Sequence, residues 1–219
     1  TRSHGFSRPG LSEKNPRYIS IVGDAELDEG SIWESIAEPE MSQASNILWV
    51  IDLNRQSLDR VIPGIRVRAW REMFNANGWN VIDAKYGKLL QTAFEQPNGE
   101  LLRIGIDEMS NQAYQRLLRV GSEVLREWLP NYSRYPDDMR RLLGRWDDSE
   151  LHELFHNLGG HDFSTLREAF RRADSTPGPN VVFAYTLKGY GLPSVGDPQN
   201  LSVTLSVSQM EELRQTLRI

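Results

Sequence analysis

Asp24 and Asn54 are the residues whose types and positions point most directly to chemistry. Ile19-Ser20-Ile21-Val22 reads as a short buried strand and delivers Asp24 to its carboxyl end. Asn46-Ile47-Leu48-Trp49-Val50-Ile51-Asp52-Leu53 reads as a second strand and delivers Asn54 to the same kind of place. In an open sheet of parallel strands the carboxyl ends share one edge, and ligands bind there. A carboxylate and an amide oxygen facing each other across neighbouring loops suit Mg²⁺, which takes few protein ligands and fills its octahedron with water and phosphate. The same residue types also have ordinary structural jobs: Asp24 can cap a helix and Asn54 can make a turn.

Three further groups of residues invite a chemical reading. Gly159-Gly160-His161-Asp162 leads into a helix-like run from Phe163 to Ala173. A loop entering a helix N-terminus is a natural anion site, and His161 can add a hydrogen bond. The competing reading makes Asp162 the helix cap and leaves His161 merely exposed. Lys188, just past a strand-like run, can neutralise a phosphate or a carboxylate, or can simply be solvated. His152-Glu153-Leu154-Phe155-His156 is a literal H-E-x-x-H. On a helix its two histidines lie on one face and can bind Zn²⁺, with the glutamate as general base. His161 stands one position too early to be the third histidine of a longer zinc-protease signature.

The elements that must position these residues alternate. Strand-like runs lie near 18–22, 46–52, 79–85 and 180–187, separated by helix-like stretches, which predicts an α/β fold with a mostly parallel sheet flanked by helices. The first crossover, Leu27–Glu38, opens with acids that favour a helix N-terminus. Val67–Ala76 has helical apolar spacing and stops at Asn77-Gly78. Residues 99–158 are almost all helix-like, with Tyr114, Leu117, Leu118, Val124, Leu125 and Trp128 as apolar faces, and read as a helical insertion within a single domain spanning 1–219. Leu192–Asn200 reads as a loop and Ser206–Arg218 as a closing helix.

Composition narrows the class. The chain has 219 residues, 39% hydrophobic and 25% charged, which suits one globular domain with a full core. A net charge of −5 argues against nucleic acid or an anionic membrane surface as partner. With no cysteine there is neither a disulfide scaffold nor thiolate chemistry, which fits a reducing cytoplasm. No segment has the length and apolarity of a membrane span, and the polar start Thr1–Asn15 is not a signal peptide.

Five blocks in order add a resemblance: Gly23-Asp24-Ala25-Glu26, Asn54-Arg55-Gln56-Ser57-Leu58-Asp59, Gly78-Trp79-Asn80-Val81-Ile82, Gly159-Gly160-His161-Asp162 and Thr186-Leu187-Lys188-Gly189-Tyr190-Gly191. Together they resemble the thiamine-diphosphate-binding part of the transketolase-like superfamily, on the branch of the homodimeric pyruvate-decarboxylating enzymes. The resemblance implies thiamine diphosphate and Mg²⁺ as cofactors. It makes Asp24, Asn54 and the Gln56 carbonyl the metal ligands, and sets Gly23, Ala25, Glu26, His161 and Lys188 beside the cofactor phosphates or substrate, with Leu58 against its rings. Glu29 matches a glutamate at the subunit interface between two active sites; it and His161 are the candidate catalytic groups. Ala25 departs from the glycine usual there, and Pro198–Thr204 has no histidine where relatives carry one.

The resemblance also places an aminopyrimidine-binding domain, with the glutamate that activates the cofactor, outside the matching region. The expectation is therefore a diphosphate-binding half of a 2-oxo acid dehydrogenase or decarboxylase, or of a transketolase-like enzyme. It would be completed by a partner domain or subunit in a homo- or hetero-oligomer. The alternatives are a non-catalytic remnant serving as an interaction module and, from the HELFH sequence, a zinc hydrolase.

Overall fold

The computed structural model describes residues 16–57, 60–61, 67–200 and 202–219. Four parallel strands, β1 (Tyr18–Gly23), β2 (Ile47–Leu53), β5 (Asn80–Ala84) and β6 (Asn180–Tyr185), form one sheet in the order β1-β2-β6-β5. A two-stranded ribbon, β3 (Gln56–Ser57) and β4 (Arg60–Val61), follows β2 directly. The expected α/β architecture is the observed one, and each strand lies within two residues of its expected bounds.

Both faces of the sheet are covered, so its central strand is a continuous apolar run: every residue from Asn180 to Ala184 is buried. On one face α1 (Gly30–Ile36) and α2 (Val67–Ala76) bury Ile36, Trp70 and Phe74 against Val22, Ile51, Leu53, Val181 and Phe183. Phe74 is wholly buried, and its ring meets those of Trp33, Trp49, Trp79 and Phe183 with centroids 5.4–6.3 Å apart. On the other face α9 (Phe163–Ser175) packs Ala169 and Ala173 against Leu48, Ile82, Ala84 and Val182. α9 contacts β5 and β6, while β1 leaves Ile19 and Ile21 exposed.

Between β5 and α9 the chain builds six further α-helices: α3 (Lys88–Phe94), α4 (Gly99–Glu108), α5 (Asn111–Leu117), α6 (Ser122–Trp128), α7 (Pro136–Leu143) and α8 (Asp148–His156). They enclose a core of their own in which Tyr114, Leu125, Leu129, Met139 and Phe155 are fully or almost fully buried. Asp147 starts α8 with a capping box: its carboxylate accepts the Glu150 N–H at 2.8 Å, and the Glu150 carboxylate accepts the Asp147 N–H at 2.9 Å. A final helix, α10 (Val207–Leu217), opens on the same device at Ser206.

Two local expectations change. β1, expected to be buried, is an edge strand that leaves Tyr18, Ile19 and Ile21 exposed and buries only Val22. The segment after β1 does not enter an α-helix at once; Asp24–Asp28 makes a tight 3₁₀ turn, and α1 starts at Gly30. The turn is pinned because Leu27 is buried and its carbonyl accepts the Trp33 indole N–H at 2.7 Å. α2 ends as expected, with Gly78 in the left-handed conformation (φ 78°) that a side chain disfavours. No helix among the described residues is long and apolar enough to cross a membrane. Leu58, Leu201 and the polar start 1–15 lie outside the described residues.

Candidate functional site

β1 and β2 pair side by side up to Gly23 and Asp52, and a hydrogen bond joins the segments that follow them. The backbone N–H of Arg55 donates to Asp24 Oδ2 at 2.8 Å, so the turn after β1 and the loop after β2 are held together. Asp24 does not act as a side-chain N-cap; the cap position before its turn is Gly23, with no side-chain bond. Asn54 makes its turn: Oδ1 accepts the Gln56 N–H at 2.9 Å and the amide donates from Nδ2 to Asp52 Oδ2 at 3.3 Å. These bonds leave lone pairs on Asp24 and on Asn54 Oδ1.

Asp24 is 5% exposed. Burial pushes its carboxyl up to about 6, aided by the nearby Asp52 carboxylate and opposed by the Arg55 and Ala25 N–H groups. The Arg55 charge also opposes the rise without cancelling it, and a divalent cation beside Asp24 would favour the ionised carboxylate further.

Asp52 is a residue that the sequence reading passed over. Its Oδ1 accepts a short bond from the Thr186 hydroxyl, which ties β2 to the segment after β6. The available signal was an acid in an otherwise apolar buried strand, two residues before Asn54.

Gly159 and Gly160 explain the GGHD block. A Cβ on Gly159 would lie 2.4 Å from the Ala84 carbonyl group, and one on Gly160 would lie 2.6 Å from the Tyr185 oxygen. Only glycine lets this loop press onto the ends of β5 and β6 at once. That contact carries His161 to the sheet edge. Its Nε2 accepts the Leu187 N–H at 2.7 Å, so the neutral ring holds its proton on Nδ1. Burial lowers the pKa of His161, and the Asp52 carboxylate opposes that change. The ring stacks on Tyr190 with centroids 3.8 Å apart. Asp162 does the structural work expected of it: one carboxylate oxygen accepts the Thr165 N–H at 2.8 Å and the other accepts the Lys88 N–H at 3.0 Å.

The remaining candidates are distributed around this edge. Lys188 is half-buried, one residue past Leu187. Ala25, Glu26 and Glu29 are exposed on the turn after β1. Glu29 occupies the N-cap position of α1 without a side-chain cap bond. A Cβ at Gly23 would meet only Glu26 Oε1, at 3.8 Å, so the chain's own packing does not demand glycine there and room remains beside the turn after β1.

Arg55 is the strained residue of the site. It has φ 64°, a left-handed conformation that costs a residue with a side chain roughly 1–2 kcal/mol. Its guanidinium is buried over the ring of Tyr114 at 4.7 Å, with Tyr185 at 5.6 Å, and its Nε has no hydrogen-bond partner.

The HELFH sequence does not form a zinc site. His156 is buried, with Nδ1 at 2.8 Å from the His152 carbonyl and Nε2 at 3.1 Å from the Leu118 carbonyl. Backbone carbonyl oxygens stand against both ring nitrogens, so no side of the ring is left open for a metal ion. Among the described residues no group of three or more His, Cys, Asp or Glu is placed to hold a metal ion.

No protein-family model matches the chain. It is 27% identical over 210 residues to the pyruvate dehydrogenase E1 component of Escherichia coli (strain K12), which covers 94% of this chain and 23% of that protein. The pyruvate dehydrogenase E1 components of Cupriavidus necator and Pseudomonas aeruginosa are each 26% identical over 197 residues, covering 88% and 89% of this chain. The chain thus spans less than a quarter of the length of the curated relatives it matches. A solved transketolase from Campylobacter jejuni covers 94% of the chain with a TM-score of 0.48 and 12% identity. Over most of its length this chain is a homologue of one section of the pyruvate dehydrogenase E1 component.

Proposed function

We propose that this chain holds the diphosphate and Mg²⁺ end of thiamine diphosphate in a 2-oxo acid dehydrogenase or decarboxylase of the pyruvate type. The observation that carries the reading is the Arg55 N–H bond to Asp24 Oδ2, which sets a buried carboxylate beside the Asn54 amide. Asp24, Asn54 and the Gln56 carbonyl would hold the metal. Carboxylate, amide and carbonyl oxygens are the donors that Mg²⁺ prefers, and a site built this way leaves coordination positions for phosphate. The donor set, the buried carboxylate with its raised pKa and the room beside Gly23 all fit the group.

When bound, the cofactor supplies the reactive carbon and the electron sink for decarboxylation. The chain's own residues bind and orient. His161, neutral and protonated on Nδ1, can donate to an anionic oxygen without bringing a full charge. Lys188 can offset the charge of a phosphate or of a substrate carboxylate. Ala25 and Glu26 flank the metal turn, Leu58 would cover the cofactor rings, and Glu29 would face a neighbouring subunit. The activating glutamate and the aminopyrimidine pocket would come from another segment, on the same polypeptide or on a second subunit of an oligomer. A cytoplasmic location belongs to the same reading.

The test is pyruvate decarboxylation by the native assembly containing this chain. Asp24→Ala should lower turnover by at least 100-fold at ordinary Mg²⁺. Parental turnover by that variant would overturn the reading, and no turnover by the parent would favour the non-catalytic alternative.

A further inference from the structure

Gln115 lies on α5, 61 residues along the chain from Asn54, and is 2% exposed. Its Nε2 donates to the Asn54 carbonyl at 3.3 Å, and its Oε1 accepts from Gln56 Nε2 at 3.1 Å. One buried amide therefore holds both residues that flank Arg55. The neighbouring Tyr114 lays its ring under the Arg55 guanidinium, and its hydroxyl donates to the Phe155 carbonyl at 3.0 Å. A single turn of α5 thus touches Asn54, Arg55 and Gln56, and ties them through Tyr114 to α8.

The loop needs such a hold. Arg55 sits at φ 64° where glycine would be at ease, so the backbone between the two candidate oxygen ligands is not in its preferred conformation. The bonds from Arg55 N–H to Asp24 and from Gln56 N–H to Asn54 are made in that conformation. Mg²⁺ accepts ligands at about 2.0–2.1 Å with near-ideal octahedral angles, so a loop that relaxes loses the metal before it loses its fold. Groups that orient metal ligands without touching the metal typically change affinity by about 10–100-fold when removed.

We propose that Gln115 is a positioning residue for the metal loop: its amide holds the Asn54 carbonyl and the Gln56 side chain, and so keeps the loop in the conformation in which the Asn54 and Gln56 oxygens would meet Mg²⁺. The inference rests on the reading of the site given above, and it places part of the metal site's precision in the helical segment rather than in the sheet. A purely structural role would have Gln115 satisfy buried polar groups, with no preferential effect on the metal.

The test uses Gln115→Leu, of similar volume without hydrogen bonds, in the native assembly. The first readout needs no cofactor: hydrogen exchange of the Arg55 and Gln56 amides should accelerate at least 10-fold, with Ile51 in β2 unchanged. The second is the Mg²⁺ concentration that half-saturates thiamine diphosphate binding. It should rise about 10–100-fold, with full occupancy regained at high Mg²⁺. Gln115→Glu, which keeps the acceptor for Gln56 and turns a carboxylate oxygen toward the Asn54 carbonyl, carries both readouts if the leucine variant does not fold. Unchanged exchange overturns the proposal, as does faster exchange with an unchanged Mg²⁺ requirement. Faster exchange in a protein whose parent form shows no Mg²⁺-dependent binding overturns the metal reading itself, and the metal role of Gln115 with it.

Discussion

The Arg55 amide and the Asp24 carboxylate stand 2.8 Å apart across two loops, and this bond joins the segments that follow β1 and β2. It exists because Arg55 accepts a left-handed backbone and because Asp24 begins a turn anchored by Leu27. The result is a buried carboxylate that resists ionisation. That is unfavourable for folding alone, and it is the property that the proposed cation site would use.

Asp24→Asn separates those two effects. The carboxyl's folded pKa of about 6 exceeds its ordinary 3.8. The native state therefore binds the proton more tightly than the unfolded chain, and stability falls as pH rises from about 4 to about 6 and stays reduced above that. Asparagine keeps an oxygen for the Arg55 N–H and removes the charge. In EDTA near pH 7.5 the Asp24→Asn protein should gain roughly 1–2 kcal/mol by urea unfolding, and the gain should vanish near pH 4. Mg²⁺-dependent cofactor binding should disappear. Equal or lower stability at the higher pH would contradict the account.

Gly159→Ala should break the loop that brings His161 to the sheet edge. A methyl group there meets backbone atoms of Ala84 that cannot rotate away. The expected loss is about 2–4 kcal/mol of stability, and the surviving protein should lose the close His161–Tyr190 stacking. A variant with parental stability would show that the close approach is not required.

His161 and His156 should both titrate below the ordinary histidine value of 6.5, because burial penalises the charged ring in each. For a histidine with a lowered folded pKa the unfolded chain protonates first. Stability is thus fully present above about pH 6.5 and declines as pH falls through that value toward the folded pKa. Imidazole NMR titration should also find the His161 proton on Nδ1 at neutral pH. A midpoint above 7, or a proton on Nε2, would contradict the hydrogen bond from Leu187.

Phe74→Ala tests what holds the strands in register beneath the site. The ring is wholly buried among Trp33, Trp49, Trp79 and Phe183. Its removal should cost about 3–5 kcal/mol in denaturant unfolding. A cost below 1 kcal/mol would mean that the aromatic cluster does not carry this face.

The parts of this architecture that were legible in the sequence are those set by local pattern. Apolar runs marked β2 and β6 because both sheet faces are covered there, and Asn54 follows directly from where β2 stops, as Asp24 does from the end of β1. Val67, Trp70 and Phe74 announced α2 by their spacing. What could not be read arises between distant residues. Asp52 looks like a stray polar residue in a strand until Thr186 and Asn54 are seen against it. Gln115 looks like any helix glutamine, since nothing in its own neighbourhood says that α5 folds onto a loop 61 residues away. Arg55 gave no hint of a left-handed backbone, because that conformation is imposed by Asp24 and Tyr114 rather than chosen by arginine. HELFH misled for the same reason: its pattern is local, while the carbonyl of Leu118, which occupies the second nitrogen of His156, comes from elsewhere in the chain.

The most direct measurement is calorimetric titration of thiamine diphosphate into the native assembly containing this chain, with Mg²⁺ and then with EDTA, for the parent protein and for Asp24→Ala. The account predicts saturable binding of one cofactor per chain with Mg²⁺, and none with EDTA or with Asp24→Ala. Binding that is indifferent to both the metal and Asp24, or no binding by the parent, would contradict it.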